Sequence, residues 1–263
     1  MNKVVQYYEG IDEDSRFVRN SRKIEFLTTV HTLDQLMPAR AKLLDVGAGT
    51  GAYSLYYAER QHEVVAVDIT PKHIDRLRDK SNQQSLPLQA YVADARDLSR
   101  FAAGTFDIVL CFGPMYHLTE HEDRMRCIRE CLRVLKRGGY LAIAYINKFS
   151  ILPMLATRDR TFIRDSVIAK VIQDGVIKDG DEDCFWTDAY FTSPDEIEAV
   201  LEPFEVTPIA HVGTDGISHT IQHDIDQLDE QQFDAWMNYH VRTCGERSIL
   251  GLSSHGLVIG QKR

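Results

Sequence analysis

Asp45, Gly47, Gly49 and Gly51 crowd into one short turn that follows the apolar pair Leu43-Leu44 and precedes a helix-forming stretch. Glycines at alternating positions strip side chains from such a turn, so a ligand can reach main-chain N–H groups and lie near a helix N-terminus. Asp68 closes the next apolar run, Val64 to Val67, 21 residues beyond Gly47. A carboxylate there can accept hydrogen bonds from both hydroxyls of a ribose. The pair suits an adenosine-containing ligand, although a tight structural turn accounts for the glycines taken alone. Asp45 discriminates between such ligands. It would repel a pyrophosphate lying in the turn and attract the ammonium of a methionyl group, by up to a few kcal/mol where water is scarce. Its plainer role is to satisfy N–H groups of the turn.

A second candidate cluster is Phe112-Gly-Pro-Met-Tyr-His117. Imidazole has an unperturbed pKa near 6.5, which suits His117 to removing a proton from a hydroxyl or a protonated amine, while capping of the following turn explains it equally well. His117 and His121 have the spacing of a zinc pair but lack a third ligand in sequence, so no metal is expected. The five cysteines, Cys111, Cys127, Cys131, Cys184 and Cys244, include no CxxC pair and are odd in number, which reads as reduced thiols. Cys127 and Cys131 stand four apart on one helix face, where packing is a simpler reading than half a metal site. His211, His219, His223 and His255 show no spacing that identifies a site. The segment Gly213-Thr-Asp-Gly216 reads as a turn, with a place beside the acceptor pocket as the alternative.

These residues need a scaffold, and the apolar pattern supplies one. Short apolar runs at Leu43–Val46, Val64–Val67, Leu88–Ala93, Phe106–Phe112 and Tyr140–Ile146 alternate with helical stretches at Ala52–Arg60, Pro71–Lys80 and His121–Leu135, the last ending at Lys136, Arg137 and Gly138. That alternation predicts a parallel sheet covered on both faces. A helical lead-in over residues 14–36 ends at Pro38, Ile151–Ile172 reads as one helix, and Asp179–Asp183 as an acidic loop. Ser193, Pro194 and Glu196 form a capping pattern, and strands at Phe204–Val212 and Ser254–Lys262 flank a helix near Asp229–Val241.

The chain has 263 residues with 30 basic and 39 acidic side chains, a formal net charge of −9. One globular domain fits this length, and the negative balance argues against a general polyanion binder. The apolar runs are far below the roughly 18 to 20 residues needed to cross a bilayer, and Met1–Gly10 lacks the apolar centre of a secretion signal. A cytoplasmic protein without membrane or nucleic-acid partners is expected, with room for a homodimer.

Asp45-Val-Gly-Ala-Gly-Thr-Gly51, Asp68, Val92-Ala-Asp94-Ala-Arg-Asp-Leu98 and Phe106-Asp-Ile-Val-Leu110, taken in order, resemble the successive motifs of class I S-adenosylmethionine-dependent methyltransferases over about residues 40–146. The resemblance implies a Rossmann-like α/β fold, a seven-stranded, mostly parallel sheet with an antiparallel last strand. It also implies S-adenosylmethionine as methyl donor and S-adenosylhomocysteine as product. Asp68 and the adjacent Ile69 would hold the ribose region, Asp94 and the Ala95 backbone the adenine edge, and the chain at Cys111 and Phe112 would pass the methionyl group. Residues 113–118 resemble the Gly-Pro-Leu-Tyr-His-Leu stretch of a bacterial group acting on small molecules, which places Tyr116 and His117 near the transferred methyl.

The Asn/Asp-Pro-Pro-Tyr/Phe signature of nucleobase and glutamine methylation is absent. In related class I methyltransferases leading helices cover the cofactor, so the resemblance implies that residues 1–39 form a lid, with Tyr7 and Tyr8 as pocket walls and Arg16 as a carboxylate contact, while surface packing of an N-terminal helix explains the same residues. Residues 40–146 would be the binding core, 147–192 an insertion over the sheet and 193–263 the completion of the sheet. The aromatic residues of the insertion, Trp186 among them, would cap the substrate or, more ordinarily, pack in a core. Methyl transfer to nitrogen or oxygen of a small metabolite is the principal expectation. An NAD(P)-dependent oxidoreductase and a catalytically silent adenosylmethionine-binding protein are the alternatives.

Overall fold

The computed structural model describes residues 3–11 and 13–263. Seven strands form one sheet: β1 (Lys42–Val46), β2 (Glu63–Asp68), β3 (Leu88–Val92), β4 (Phe106–Cys111), β5 (Leu135–Ile146), β8 (Val206–Gly213) and β9 (His255–Lys262). Two short strands, β6 (Val176–Ile177) and β7 (Ala189–Tyr190), pair separately in the insertion. The order across the sheet is β3-β2-β1-β4-β5-β9-β8, and β9 alone runs against its neighbours. The expected seven-stranded topology with a reversed last strand is therefore present. Its consequence for the site is geometric. The C-terminal ends of β1, β2, β4 and β5 lie along one edge, and the reversed β9 starts at that same edge, with His255 opposite Ile146.

Strand residues alternate between two apolar layers, as a sheet covered on both faces requires. Leu44, Val46, Val65, Val67 and Val109 pack on one face with Ile128, Cys131 and Leu132 of α5 (His121–Val134), while Leu43, Val64, Ile108 and Leu110 pack on the other with Leu33 and Tyr57. Those two residues come from α2 (Asn20–Asp34) and α3 (Ala52–Glu59). α4 (Pro71–Gln83) covers β2 and β3 through Ile74 and Leu77. Asp45 shares the Leu43 face, and α3 seals it from water.

Three expectations about elements change. The lead-in is not one helix over residues 14–36: α1 (Lys3–Glu9) is followed by a short turn at Glu13–Ser15, and α2 starts only at Asn20. The cause is tertiary, because Asp14 pairs with Arg76 at 2.6 Å and with Lys80, both on α4, which holds the chain out of a helix. Second, Lys136–Gly139 belongs to β5 rather than to a helix end. Lys136 reaches Asp107 Oδ1 at 2.7 Å, and the pairing of β4 with β5 shifts register between Phe106 and Ile108. Third, the stretch Ile151–Ile172 is split into α6 (Ile151–Arg158) and α7 (Asp165–Gln173), because Asp159 is extended and caps a tight turn by accepting from the Thr161 N–H at 3.1 Å.

The insertion makes its own core from Ile151, Leu155, Val167, Val171, Ile177 and Phe191 and seats it against Tyr116 and Ile146. In the completion of the sheet, α8 (Pro194–Leu201) opens on the expected capping box between Ser193 and Glu196. It is followed by α9 (Gln222–Asp226), α10 (Glu230–Thr243) and α11 (Arg247–Leu252), of which α10 was legible in the sequence and the other two were not.

Candidate active site

A cavity opens where the strand ends converge, lined by α1, the lead-in to α2, the turn after β1, the ends of β2 and β4, and the start of β9. The glycine turn does not offer its amides to a ligand as expected. Gly47 and Ala48 N–H donate to the Val67 carbonyl at 2.8 and 3.0 Å, Gly49 N–H to Asp68 Oδ2 at 2.9 Å, and Gly51 N–H to the Ala48 carbonyl at 2.9 Å. The glycines answer to packing instead. Gly47 has φ +82°, and a Cβ there would lie 2.4 Å from the Phe112 carbonyl oxygen; at Gly51 it would meet Leu77 at 2.1 Å. Gly49 faces open space.

Two carboxylates flank this turn. Asp45 is buried; Ser54 Oγ donates to its Oδ2 at 2.7 Å, while Oδ1 has no partner among the described residues. Burial pushes its carboxyl up to about 7, against the opposing effect of the Ser54 hydrogen bond, with nearby Asp68 adding to the rise. Asp45 lines the cavity, and an orphaned buried carboxylate oxygen is one that a cationic group would satisfy. Asp68 accepts from Gly49 N–H on one oxygen and from Thr70 N–H at 2.8 Å on the other. Beside it stands His73 of α4, which lines the cavity. Both of its ring nitrogens are buried without hydrogen bonds among the described residues, with Nδ1 3.5 Å from Asp68 Oδ1.

Further along the edge, Asp94 holds Arg96 through a two-oxygen contact, Nη2 to Oδ2 at 2.6 Å and Nε to Oδ1 at 3.0 Å, and Arg96 reaches on to Asp123 at 2.6 Å. The hydrogen bond and charge of Arg96 hold the Asp94 carboxyl below its usual range despite partial burial. The Asp94 carboxylate is thus already engaged, whereas the Ala95 N–H keeps no partner among the described residues.

Tyr8 from α1 lies over this region, its hydroxyl donating to His117 Nε2 at 2.8 Å, while His117 Nδ1 donates to the Asp188 carbonyl at 2.9 Å. Both imidazole nitrogens are therefore used. Burial drives the His117 pKa down to about 4, so the ring is neutral at pH 7 and its accepting nitrogen is occupied by Tyr8. Tyr116 is buried beside it in edge contact, 4.9 Å between ring centroids.

Of the residues expected in the site, Tyr8, Arg16, Asp45, Gly47, Gly49, Asp68, Ile69, Asp94, Ala95, Phe112, Tyr116 and His117 line this one cavity. Tyr7, Gly51, Cys111 and Trp186 do not. Trp186 packs behind His117 at 5.1 Å and Tyr7 packs against Trp186 at 6.1 Å. Cys111 turns its thiol into the α5 layer, 3.7 Å from Cys127 Sγ. Cys111, Cys127 and Cys131 form a buried sulfur trio within 4.8 Å of one another, with no fourth metal-ligating side chain grouped with them among the described residues. His73, Arg96, Glu25 and His255 line the cavity without having been anticipated.

Residues 44–143 match the methyltransferase-domain family. Over 114 residues the chain is 33% identical to a ubiquinone biosynthesis O-methyltransferase of Xanthomonas axonopodis pv. citri, a match covering 43% of this chain and 46% of that protein. A glycine/sarcosine N-methyltransferase of Parasynechococcus marenigrum is 36% identical over 107 residues, 40% of this chain and 38% of the relative. The matched segment thus spans less than half the length of these relatives. The solved structure of an S-adenosylmethionine-dependent methyltransferase of Methanosarcina mazei shares the fold with a TM-score of 0.60 at 20% identity, covering 88% of this chain and 96% of that one. The cyclase SpnF does so with a TM-score of 0.58 at 17% identity, covering 90% and 81%.

Within the matched segment, His73 and Arg96 had a local signal. His73 follows Asp68 on the first turn of a proline-opened helix, and Arg96 is two residues past Asp94. The positions of Glu25 and His255 depend on segments lying outside the matched domain.

Proposed function

We propose that the protein transfers a methyl group from S-adenosylmethionine to a small-molecule acceptor. The observation that carries this reading is Asp45, a buried cavity-lining residue whose carboxyl has one oxygen without a partner among the described residues. It supports a ligand bearing positive charge and opposes one bearing a diphosphate. The glycine-turn amides add to the same preference, because they are consumed by Val67, Asp68 and Ala48 and are not free to cradle phosphate oxygens.

The residues present fit the donor. Asp45 would neutralise its positive end, Asp68 would accept ribose hydroxyls on lone pairs left by Gly49 and Thr70, and the free Ala95 N–H would meet the adenine edge. When bound, the sulfonium supplies an already activated methyl. The chain's work is then to align an acceptor and exclude water, which needs no strong acid. Tyr8, Phe112 and Tyr116 wall the space where that alignment occurs. His117 holds Tyr8 in place over the cavity through its neutral Nε2 and becomes available as a base only when that hydroxyl moves away.

Calorimetric titration with S-adenosylmethionine, S-adenosylhomocysteine and NAD tests the reading. Binding of the first two and not the third is expected, and binding of NAD alone overturns it. Transfer of labelled methyl into a metabolite extract then separates an enzyme from a silent adenosylmethionine-binding protein.

A further inference from the structure

On the β9 side the cavity wall carries charged groups for which the donor has no use. His255, the first residue of β9, lines the cavity, and its Nδ1 donates to Asp215 Oδ2 at 2.9 Å. Asp215 is itself buried and fixed, its Oδ1 accepting from Ser253 Oγ at 2.7 Å, Ser254 N–H at 2.8 Å and His255 N–H at 3.1 Å. A proton held on Nδ1 leaves Nε2 with an open lone pair, and no hydrogen bond reaches it among the described residues. Neither residue belongs to the matched methyltransferase domain.

The surroundings are acidic. Glu25 Oε2 of α2 stands 4.0 Å from His255 Nδ1, and Glu25 Oε1 accepts from Arg16 at 2.8 Å. Arg16 is also 4.0 Å from Glu13. Two carboxylates, Glu13 and Glu25, thus face one guanidinium, Asp215 backs His255 from outside the cavity lining with His219 and His240 near it, and the lining residues Thr29, Tyr53, Tyr116 and Thr214 are neutral. Such a field attracts a cationic acceptor and penalises an anion.

Resting on the proposed methyl transfer, we propose that the acceptor is an amine and that His255 is the base that deprotonates it, with Asp215 as the positioning residue. The amine arrives as an ammonium drawn by the carboxylates. One N–H bond breaks, its proton goes to His255 Nε2, and its electron pair stays on nitrogen. That lone pair then forms the new N–C bond to the methyl as the C–S bond breaks and its electrons remain on sulfur, leaving a neutral thioether. The methylated amine is again cationic, and His255 returns its proton to water. No anion forms at any point, whereas a hydroxyl acceptor would develop negative charge facing Glu25. Burial opposes protonation of His255, but Glu25 and Asp215 outweigh it and raise its pKa above the ordinary 6.5. Arg16 acts in the opposite direction. The rate should therefore climb with pH through a midpoint above 6.5.

Three readouts test this. The ring resonance of His255, assigned by its loss in His255→Gln, should titrate above 6.5 in the ligand-free protein and shift downward in Asp215→Asn. Labelled methyl should pass to members of a set of amines (glycine, sarcosine, ethanolamine, benzylamine) and not to catechol or benzyl alcohol. His255→Gln should lower kcat/KM for the amine at least 100-fold at pH 7 and abolish the rising pH limb, with S-adenosylhomocysteine affinity within twofold of wild type. Transfer to the hydroxyl compounds alone, or to no amine while S-adenosylhomocysteine binds, overturns the amine assignment. An unchanged pH profile in His255→Gln overturns the base. Failure of S-adenosylhomocysteine to bind the wild-type protein removes the underlying methyl-transfer reading instead.

Discussion

The two sides of the cavity are built in contrasting ways. On the β1–β2 side Asp45, the glycine turn and Asp68 come from two adjacent parallel strands, and each polar group is positioned by its own strand end or the turn beside it. On the β9 side Arg16, Glu25, Asp215 and His255 come from the two ends of the chain and meet only because β9 is inserted, reversed, beside β5. The first side is a local device that can be read as a motif. The second is an assembly of distant segments, so its composition can vary while the donor side stays the same.

The contrast can be broken most severely at the glycine turn. Gly47→Ala forces a Cβ against the Phe112 carbonyl oxygen at a positive φ, and a loss of about 3 kcal/mol or more in urea unfolding is expected. Gly49→Ala, with open space around it, should lose only about 1 kcal/mol. Equal losses would mean that the turn is shaped by its ligand rather than by packing.

Asp45→Asn should act with opposite signs on stability and binding. The Asp45 pKa is raised in the folded state, so its contribution is most favourable below the ordinary carboxylate range near 3.8 and is lost as pH rises to about 7. The shift corresponds to roughly 4 kcal/mol at most across that window. Removing the carboxyl should flatten this loss and raise the melting temperature of the ligand-free protein at pH 8. The same variant should bind S-adenosylmethionine about 10- to 100-fold more weakly, the scale of losing one charged partner. In the wild type, affinity should rise as pH passes through about 7. A pH-independent affinity would show that Asp45 does not face the donor's charge.

Smaller effects sharpen the picture. Asp68→Ala should weaken S-adenosylmethionine by about 1 to 2 kcal/mol in calorimetry, and unchanged affinity would remove Asp68 from the ribose site. Tyr8→Phe deletes the hydroxyl bonded to His117 and should cost about 1 kcal/mol or less in stability, while leaving His117 Nε2 open. Because His117 is depressed to about 4, its stabilising contribution is present above 6.5 and lost as pH falls toward 4. Histidine resonances that titrate near 6.5 at His117 would contradict its burial.

How far the sequence carried this reading depends on the range of the interactions involved. The strand cores, the capping box at Ser193 and the line of Asp45, Asp68 and Asp94 along the sheet edge were legible because short apolar runs, a capping pattern and strand-end carboxylates are local signals. The break at Asp159, the turns before Asn20 and the inward turn of the Cys111 thiol were not. The last two are decided by a partner far away in the chain and by which face of the sheet a residue occupies, and the first by a local cap of Asp159 on the Thr161 N–H that the apolar spacing across it does not show.

By itself, the sequence determined the α/β alternation, the donor-side motifs and the acidic balance, since these follow from neighbours within a strand, turn or helix. Only the tertiary structure decided that the glycine amides are spent on the protein itself, that His117 is neutral and occupied, and that His255 lines the cavity with Asp215 bonded behind it. The physical reason is that hydrogen-bond saturation, burial and the net field in a cavity are sums over all the segments packed around it. No single segment contains that sum.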